Sequence, residues 1–354
     1  MRLPYPDRLK AWLVAGVIFG HAWAGYSTFQ GAWVYTDVRE ATLRPSSQAF
    51  LEALLGPFAL FAMGMFFLIA GLLTPPSLAR KTPPRFALDR LLRLGLPLAA
   101  FTFVLWPPMR YALGDASWWS SPDPVQLWFA EVLLLFSLAY ALVHRRSLPL
   151  PHPLTLSAVV AVASFVVRGW YPLNTDGPWF LHLCQWPQYV ALFYLGVAAN
   201  RHGWLTAVPD QVRRSCARAA VLGTLAIAAF ALIVAVTGAS PDDFLGGWHP
   251  AALATAAAEG LLSVNLAVWL LATAQRHLNR PLRSPTVASD AFAAFIVQAH
   301  VLVTLALLAR PVPVPAELKA LFVSVAGVLL SFALGHLVTI ATTRRAPVTH
   351  PTAT

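Results

Sequence analysis

An all-helical, polytopic membrane fold follows from three properties of this sequence. Hydrophobic residues fill 58% of its 354 positions and charged residues only 11%, against about 25% charged in an ordinary soluble domain. The apolar residues gather into runs of roughly the 20 residues that a ~30 Å hydrocarbon core requires. The basic residues then fall between alternate runs. About ten spans satisfy all three properties: 9–26, 56–74, 90–112, 124–143, 154–170, 184–200, 217–237, 250–274, 289–309 and 318–341. Mean hydropathy over the chain is +0.62.

Each element has its own justification. Arg2, Arg8 and Lys10 precede span one. Ala22-Trp23-Ala24 resembles a signal-peptide cleavage site, but nine further runs follow, so an uncleaved span is expected. Span two should close at Pro75-Pro76, because proline removes a helix donor and its ring clashes with the preceding turn. Pro83-Pro84 then breaks the connection, which carries Arg80, Lys81, Arg85, Arg90 and Arg93. Arg145 and Arg146 follow span four, and Arg201, Arg213, Arg214 and Arg218 follow span six. Arg276, Arg280 and Arg283 follow span eight, and Arg344 and Arg345 follow span ten. Spans five and six are the least distinct runs. The opposite connections carry Asp37, Glu40, Asp115, Asp123, Asp176, Asp242 and Asp243. By the positive-inside rule both termini are cytoplasmic.

That distribution also explains the net charge of +10, from 25 Lys+Arg and 15 Asp+Glu. The excess base marks orientation, so no nucleic-acid partner is expected. The longest connection, about 27–55, is too short to bury a separate core. The expected organisation is a single membrane-embedded domain over 1–345 and a short tail, 346–354. Cys184 and Cys216 fall in or beside different spans and imply neither a disulfide framework nor a metal site. No internal repeat is visible, which disfavours an inverted-repeat transporter. Trp118, Trp119, Trp170, Trp179 and Trp248 suit an interfacial aromatic belt, although aromatic rings also stack on sugars.

Ionisable residues within spans are costly and mark candidate sites. Lys10 and His21 lie eleven residues apart, close to three helical turns, so they share a face about 16 Å apart along the axis. A half-buried histidine can act as a neutral base, or it can pack against a neighbouring carbonyl. Asp7, three residues before Lys10, makes either a simple interfacial ion pair or an anchor for the helix end near a substrate. Arg85, Arg90 and Arg93 can hold phosphate oxygens, since guanidinium groups suit bidentate anion contacts. Asp89 can instead pair with Arg93, and membrane anchoring alone also explains the cluster. Glu131 and Glu259 are acids inside spans four and eight, with their role open. Asp290, Gln298 and His300 cluster in span nine, and His336 in span ten reads as packing.

These residues, in this order, resemble acyltransferase family 3, a family of integral membrane proteins. That family opens with an Asp, an Arg three residues on, and a His eleven further, and "DRLKAWLVAGVIFGH" places Asp7, Lys10 and His21 there. Its second span ends in an "FF-x-x-SG"-like motif before an Arg-rich segment, matched here by "FFLIAG" and "RFALDRLLRLGLP". "LWFAEVLLLFSLAYAL" and "QYVALFYLGVAANRHGWL" resemble its middle spans. The likeness covers nearly the whole chain and leans towards the branch with glucan-modifying succinyltransferases.

The resemblance implies transfer of a small acyl group, acetyl or succinyl, from cytoplasmic acyl-CoA to a hydroxyl. The implied acceptor is a carbohydrate or glycolipid at the outer face of a bacterial inner membrane, with no metal involved. His21 would be the base, Arg90 and Arg93, with Arg85, would hold the CoA phosphates, and Lys10 would stand for the family's Arg. Three positions depart from the pattern. Lys10 lacks the bidentate fork of arginine, and Ala70 replaces a serine. The "Y-x-x-Y-x-x-H" of span nine becomes Phe292, Phe295 and Gln298. His300 is displaced by two residues, about 200° around the helix. The alternatives are a transporter or exporter of a polar or lipid-linked molecule, and a structural partner in the cell envelope.

Overall fold

The computed structural model describes residues 3–344, except 29–32, 145–147, 174, 176, 178–180, 239 and 282–285. Arg2, Arg145, Arg146, Asp176, Trp179, Arg283, Arg345 and the tail 346–354 lie outside the described residues. Among those described, every regular element is helical. The apolar runs fall on α1 (Tyr5–Ala24), α2 (Pro45–Ala79), α3 (Pro83–Ala112), α4 (Trp128–Val143) and α5 (Pro153–Arg168). They continue on α6 (Trp186–Arg201), α7 (Asp210–Thr237), α8 (Pro250–His277), α9 (Val287–Ala309) and α10 (Ala316–Arg344). Six stretches of described residues are long and apolar enough to cross a membrane: α2, α3, α4 with its leading turn, α8, α9 and α10 up to Thr342. Among the shorter helices, α5 is also apolar.

Helix α2 differs from its expected span at both ends. It starts at Pro45, well before position 56, because a proline in the first turn is pre-organised for helix and needs no donor. It also continues through Pro75 and Pro76 to Ala79. The carbonyl that Pro76 leaves without a helical donor is that of Leu72, four residues back. Asn200 Nδ2 of α6 donates to it at 2.8 Å. Gln188 Nε2 donates likewise to Leu60 O at 2.6 Å. The two contacts step by the same interval along both helices, so α2 and α6 run parallel in register.

Small residues let these helices approach. A Cβ at Gly71 would clash with the Phe193 carbonyl, and one at Gly196 with the Leu68 carbonyl. Gly71→Val is expected to destabilise the purified protein by about 1–3 kcal/mol through overpacking. The readout is thermal melting in detergent, and an unchanged midpoint would show that the crossing is loose.

Two π-helical turns interrupt α3, at Leu91–Gly95 and Phe101–Leu105. Each includes a carbonyl four residues ahead of a proline: Arg93 before Pro97, and Phe103 before Pro107. Widening the turn relieves the ring–carbonyl clash. Arg93 therefore sits on a widened turn, and Arg90 on the α-helical turn before it.

The chain forms two compact units. The first contains residues 1–49, 109–115 and 280–354, the second 50–108 and 116–279. In the first, α1, α9 and α10 pack together. Arg8 reaches Pro281 O just before α9, and His21 reaches Gln298 midway along it, so α1 and α9 are parallel. Gly335 of α10 approaches Asp290 and Ala294, while Lys319 meets Arg310 O. Helix α10 is therefore antiparallel to both. In the second unit, α8 packs between α5 and α7, and α2 lies along α6.

Candidate active site

In the first unit, His21 lies near the C-terminal end of α1. Leu13, Val14, Val17 and Ile18 bury one side of α1 and hold the helix against α9 and α10. His21 follows on the next turn, half-buried. Its Nδ1 lies 3.2 Å from Gln298 Oε1. The other end of the Gln298 amide donates through Nε2 to Phe295 O, also at 3.2 Å. That second bond fixes the amide, because only NH₂ can face a carbonyl. Oxygen therefore faces His21, and Nδ1 must carry the proton. The lone pair is then on Nε2, the state a general base needs.

The ring's plane is fixed from another direction. Trp33 stacks on His21 with centroids 3.8 Å apart and planes 10° from parallel. A short 3₁₀ turn, Val34–Asp37, follows Trp33 and is tied down at several points. Tyr35 donates to Glu40 at 2.6 Å, and its hydroxyl oxygen lies 3.4 Å from Ala306 O. Lys319, only 4% exposed, pairs with Glu40 at 2.6 Å and donates to Arg310 O at 3.0 Å. Burial alone would push the Glu40 carboxyl up, but the bonds from Lys319 and Tyr35 outweigh it and hold the group below the usual carboxylate range. The Tyr35 hydroxyl is pushed up, by burial and then by its bond to that carboxylate. The carboxylate is thus charged and the phenol neutral, which suits the pattern of one acceptor and two donors.

Lys10 and Asp7, at the start of α1, are 3.8 Å apart. This is the expected ion pair, long for a hydrogen bond. His300 lies two positions past Gln298 and is half-buried on α9. His336 does more than pack: its Nδ1 lies 3.0 Å from Asp290 Oδ2, which also accepts from Thr286 at 2.8 Å.

In the second unit the arginines separate into different roles. Arg93 pairs with Asp89 at 2.8 Å, and Lys81 pairs with the same carboxylate at 2.8 Å. The local pairing anticipated for Asp89 is therefore present. Arg85 is exposed. Arg90 lies over the Phe86 ring, 5.0 Å from its centroid, and its buried Nε has no hydrogen-bond partner among the described residues. Of the three, Arg90 is the one with a buried donor that no described residue fills. Glu131 is half-buried on α4.

Glu259 has a partner that the sequence reading did not name. It forms an ion pair with Arg168, and both side chains are 1% exposed. Arg168 sits at the end of α5 and reaches back along it, as helical side chains do, with Nε donating to Cys184 O at 3.3 Å. The same α5–α8 seam joins Asn265 to Ser157 at 2.9 Å. The signal for Arg168 was available: a base within the expected fifth span and an acid within the eighth are candidates for each other. Trp33 and Lys319 had no comparable signal, since an interfacial tryptophan and a lysine at a span end are both ordinary.

The family model described as an acyltransferase domain (Acyl_transf_3) matches residues 3–338. The chain belongs to acyltransferase family 3. It is thus a multi-helical membrane protein of an acyltransferase family. No curated protein and no solved structure matches it. Among the described residues of this acyltransferase-family chain, no three His, Cys, Asp or Glu side chains come together to hold a metal ion.

Proposed function

We propose that this acyltransferase-family chain transfers a small acyl group from cytoplasmic acyl-CoA to a hydroxyl of a carbohydrate or glycosylated acceptor. On this reading residues 1–345 act as one domain that crosses a bacterial inner membrane about ten times, with both termini cytoplasmic. The observation that carries the proposal is the Gln298–His21 hydrogen bond, which leaves Nε2 unprotonated. Nε2 takes the acceptor's hydroxyl proton as the oxygen attacks the thioester carbonyl carbon. The carbon–sulfur bond then breaks, and the proton passes to the departing thiolate to give free CoA and an ester. No acyl-enzyme is required, because the acceptor oxygen is itself the nucleophile. Arg90, with Arg93 and Arg85, binds the CoA phosphates, and Lys10 with Asp7 serves the cytoplasmic start of α1. The acyl group is acetyl or succinyl, following the family likeness.

The test is transfer from labelled acetyl-, succinyl- and longer acyl-CoAs to an envelope-carbohydrate extract, by protein in nanodiscs. Labelled product from the wild type and none from a correctly inserted His21→Ala is the expected result. Well-folded wild type that neither makes product nor binds CoA would overturn the reading and leave transport in its place.

A further inference from the structure

Trp33 is the group stacked on His21, and one of its functions is unused. It is 8% exposed, and its Nε1–H is buried with no hydrogen-bond partner among the described residues. A buried donor left unmade costs on the order of 1–3 kcal/mol, and a tryptophan at this depth normally finds an acceptor. Its position is not accidental. The turn that follows it is bound to α9 through Tyr35 and to α10 through the Glu40–Lys319 pair. The indole is held face to face with the imidazole, so its orphan N–H lies beside the ring whose Nε2 is free.

We propose that Trp33 forms part of the acceptor site: its ring fixes the plane of the His21 imidazole, and its indole N–H donates a hydrogen bond to an oxygen of the acceptor. This inference rests on the reading of His21 as the base and adds the residue that selects what is presented to it. The donor suits a polyhydroxylated molecule. One hydroxyl gives its proton to Nε2, while a neighbouring oxygen accepts from Nε1–H. Gln298 fixes the rotation of the imidazole and Trp33 its tilt, so Nε2 is presented in one direction.

Two substitutions separate the parts of this role. Trp33→Phe keeps an aromatic face and removes the N–H. Trp33→Ala removes both. Two measurements on full-length protein in nanodiscs read them. The first is the rate at which diethyl pyrocarbonate modifies His21, followed at the His21 peptide by mass spectrometry, which needs no acceptor. Trp33→Ala should react faster than wild type and Trp33→Phe at the wild-type rate, since either ring shields the imidazole. The second is acyl transfer to the envelope-carbohydrate extract. Trp33→Phe should raise the apparent KM for acceptor roughly tenfold, about the worth of one hydrogen bond, with the KM for acyl-CoA unchanged. Trp33→Ala should lower kcat as well.

Equal modification rates in all three proteins would overturn the stacking role. A wild-type acceptor KM in Trp33→Phe would overturn the donor role. Transfer that persists in His21→Ala would instead overturn the underlying reading, and the modification rates would still report whether Trp33 covers the ring.

Discussion

Gln298→Leu is expected to lower acyl transfer by about a hundredfold or more, the scale of losing a correctly poised general base. Leucine has similar volume and Gln298 is fully buried, so packing of α1 on α9 should survive. What disappears is the acceptor for Nδ1–H. Without it the imidazole can turn or take the other tautomer, with the proton on Nε2 where the base should be. Gln298→Glu tests the same point from the opposite side. A carboxylate still accepts from Nδ1–H, but it also stabilises imidazolium relative to the neutral ring. Because the working form is neutral, the acid limb of the pH–kcat/KM profile should move to higher pH than in wild type. Wild-type kcat in Gln298→Leu, in protein that elutes as a single species, would show that Nδ1 needs no partner here.

The helices were legible because apolar runs of membrane length have few alternatives, and their centres fall where the hydropathy places them. The exceptions are local rules overridden from a distance. Pro75-Pro76 reads as a helix stop, and it would be one if the Leu72 carbonyl had no donor. That donor is Asn200, far along the chain on α6. The family-like stretches "FFLIAG" and "QYVALFYLGVAANRHGWL" carry Gly71 and Gly196, respectively. Only the fold shows that the two glycines face each other. The polar start of α2 was likewise invisible to a hydropathy scan, since residues 45–55 are helical without being long-apolar.

The candidate site was legible as a set of residues and not as a set of bonds. His21 stood out through its position in a span, and Gln298 through the motif it interrupts. That Gln298 contacts His21 depends on the rotation of α9 against α1, which spacing within either helix does not contain. His300, two residues on, is turned to another side, as the helical period requires. The Asp89–Arg93 spacing predicted a local ion pair as readily as a phosphate site, and the ion pair is present. This engages Arg93 and leaves Arg90 and Arg85 as the freer candidates for anion binding. Trp33 stayed hidden because aromatic residues near a membrane interface are common for reasons of solvation alone.

Arg168→Leu is the substitution with the largest expected effect on stability, a loss of about 3–5 kcal/mol. Both members of the Arg168–Glu259 pair are almost fully enclosed. Removing the guanidinium leaves a carboxylate in apolar surroundings and frees the Cys184 carbonyl. Charge in such a place is tolerated only with its counter-charge. Glu259→Leu should cost a similar amount, because it strands a cation that cannot give up its proton. The double substitution Arg168→Leu/Glu259→Leu decides what the pair is for. Two leucines fill comparable space without a desolvation cost, and replacing a buried pair whole is often neutral or stabilising. Thermal melting should therefore return towards wild type in the double variant. Acyl transfer should return with it, because Gln298 already supplies the partner that His21 requires and the pair serves to join α5 to α8. A double variant that melts like wild type yet transfers nothing would assign Glu259 or Arg168 to the chemistry. A double variant that melts like the single ones would show that the seam depends on the charges themselves and not on the volume they fill.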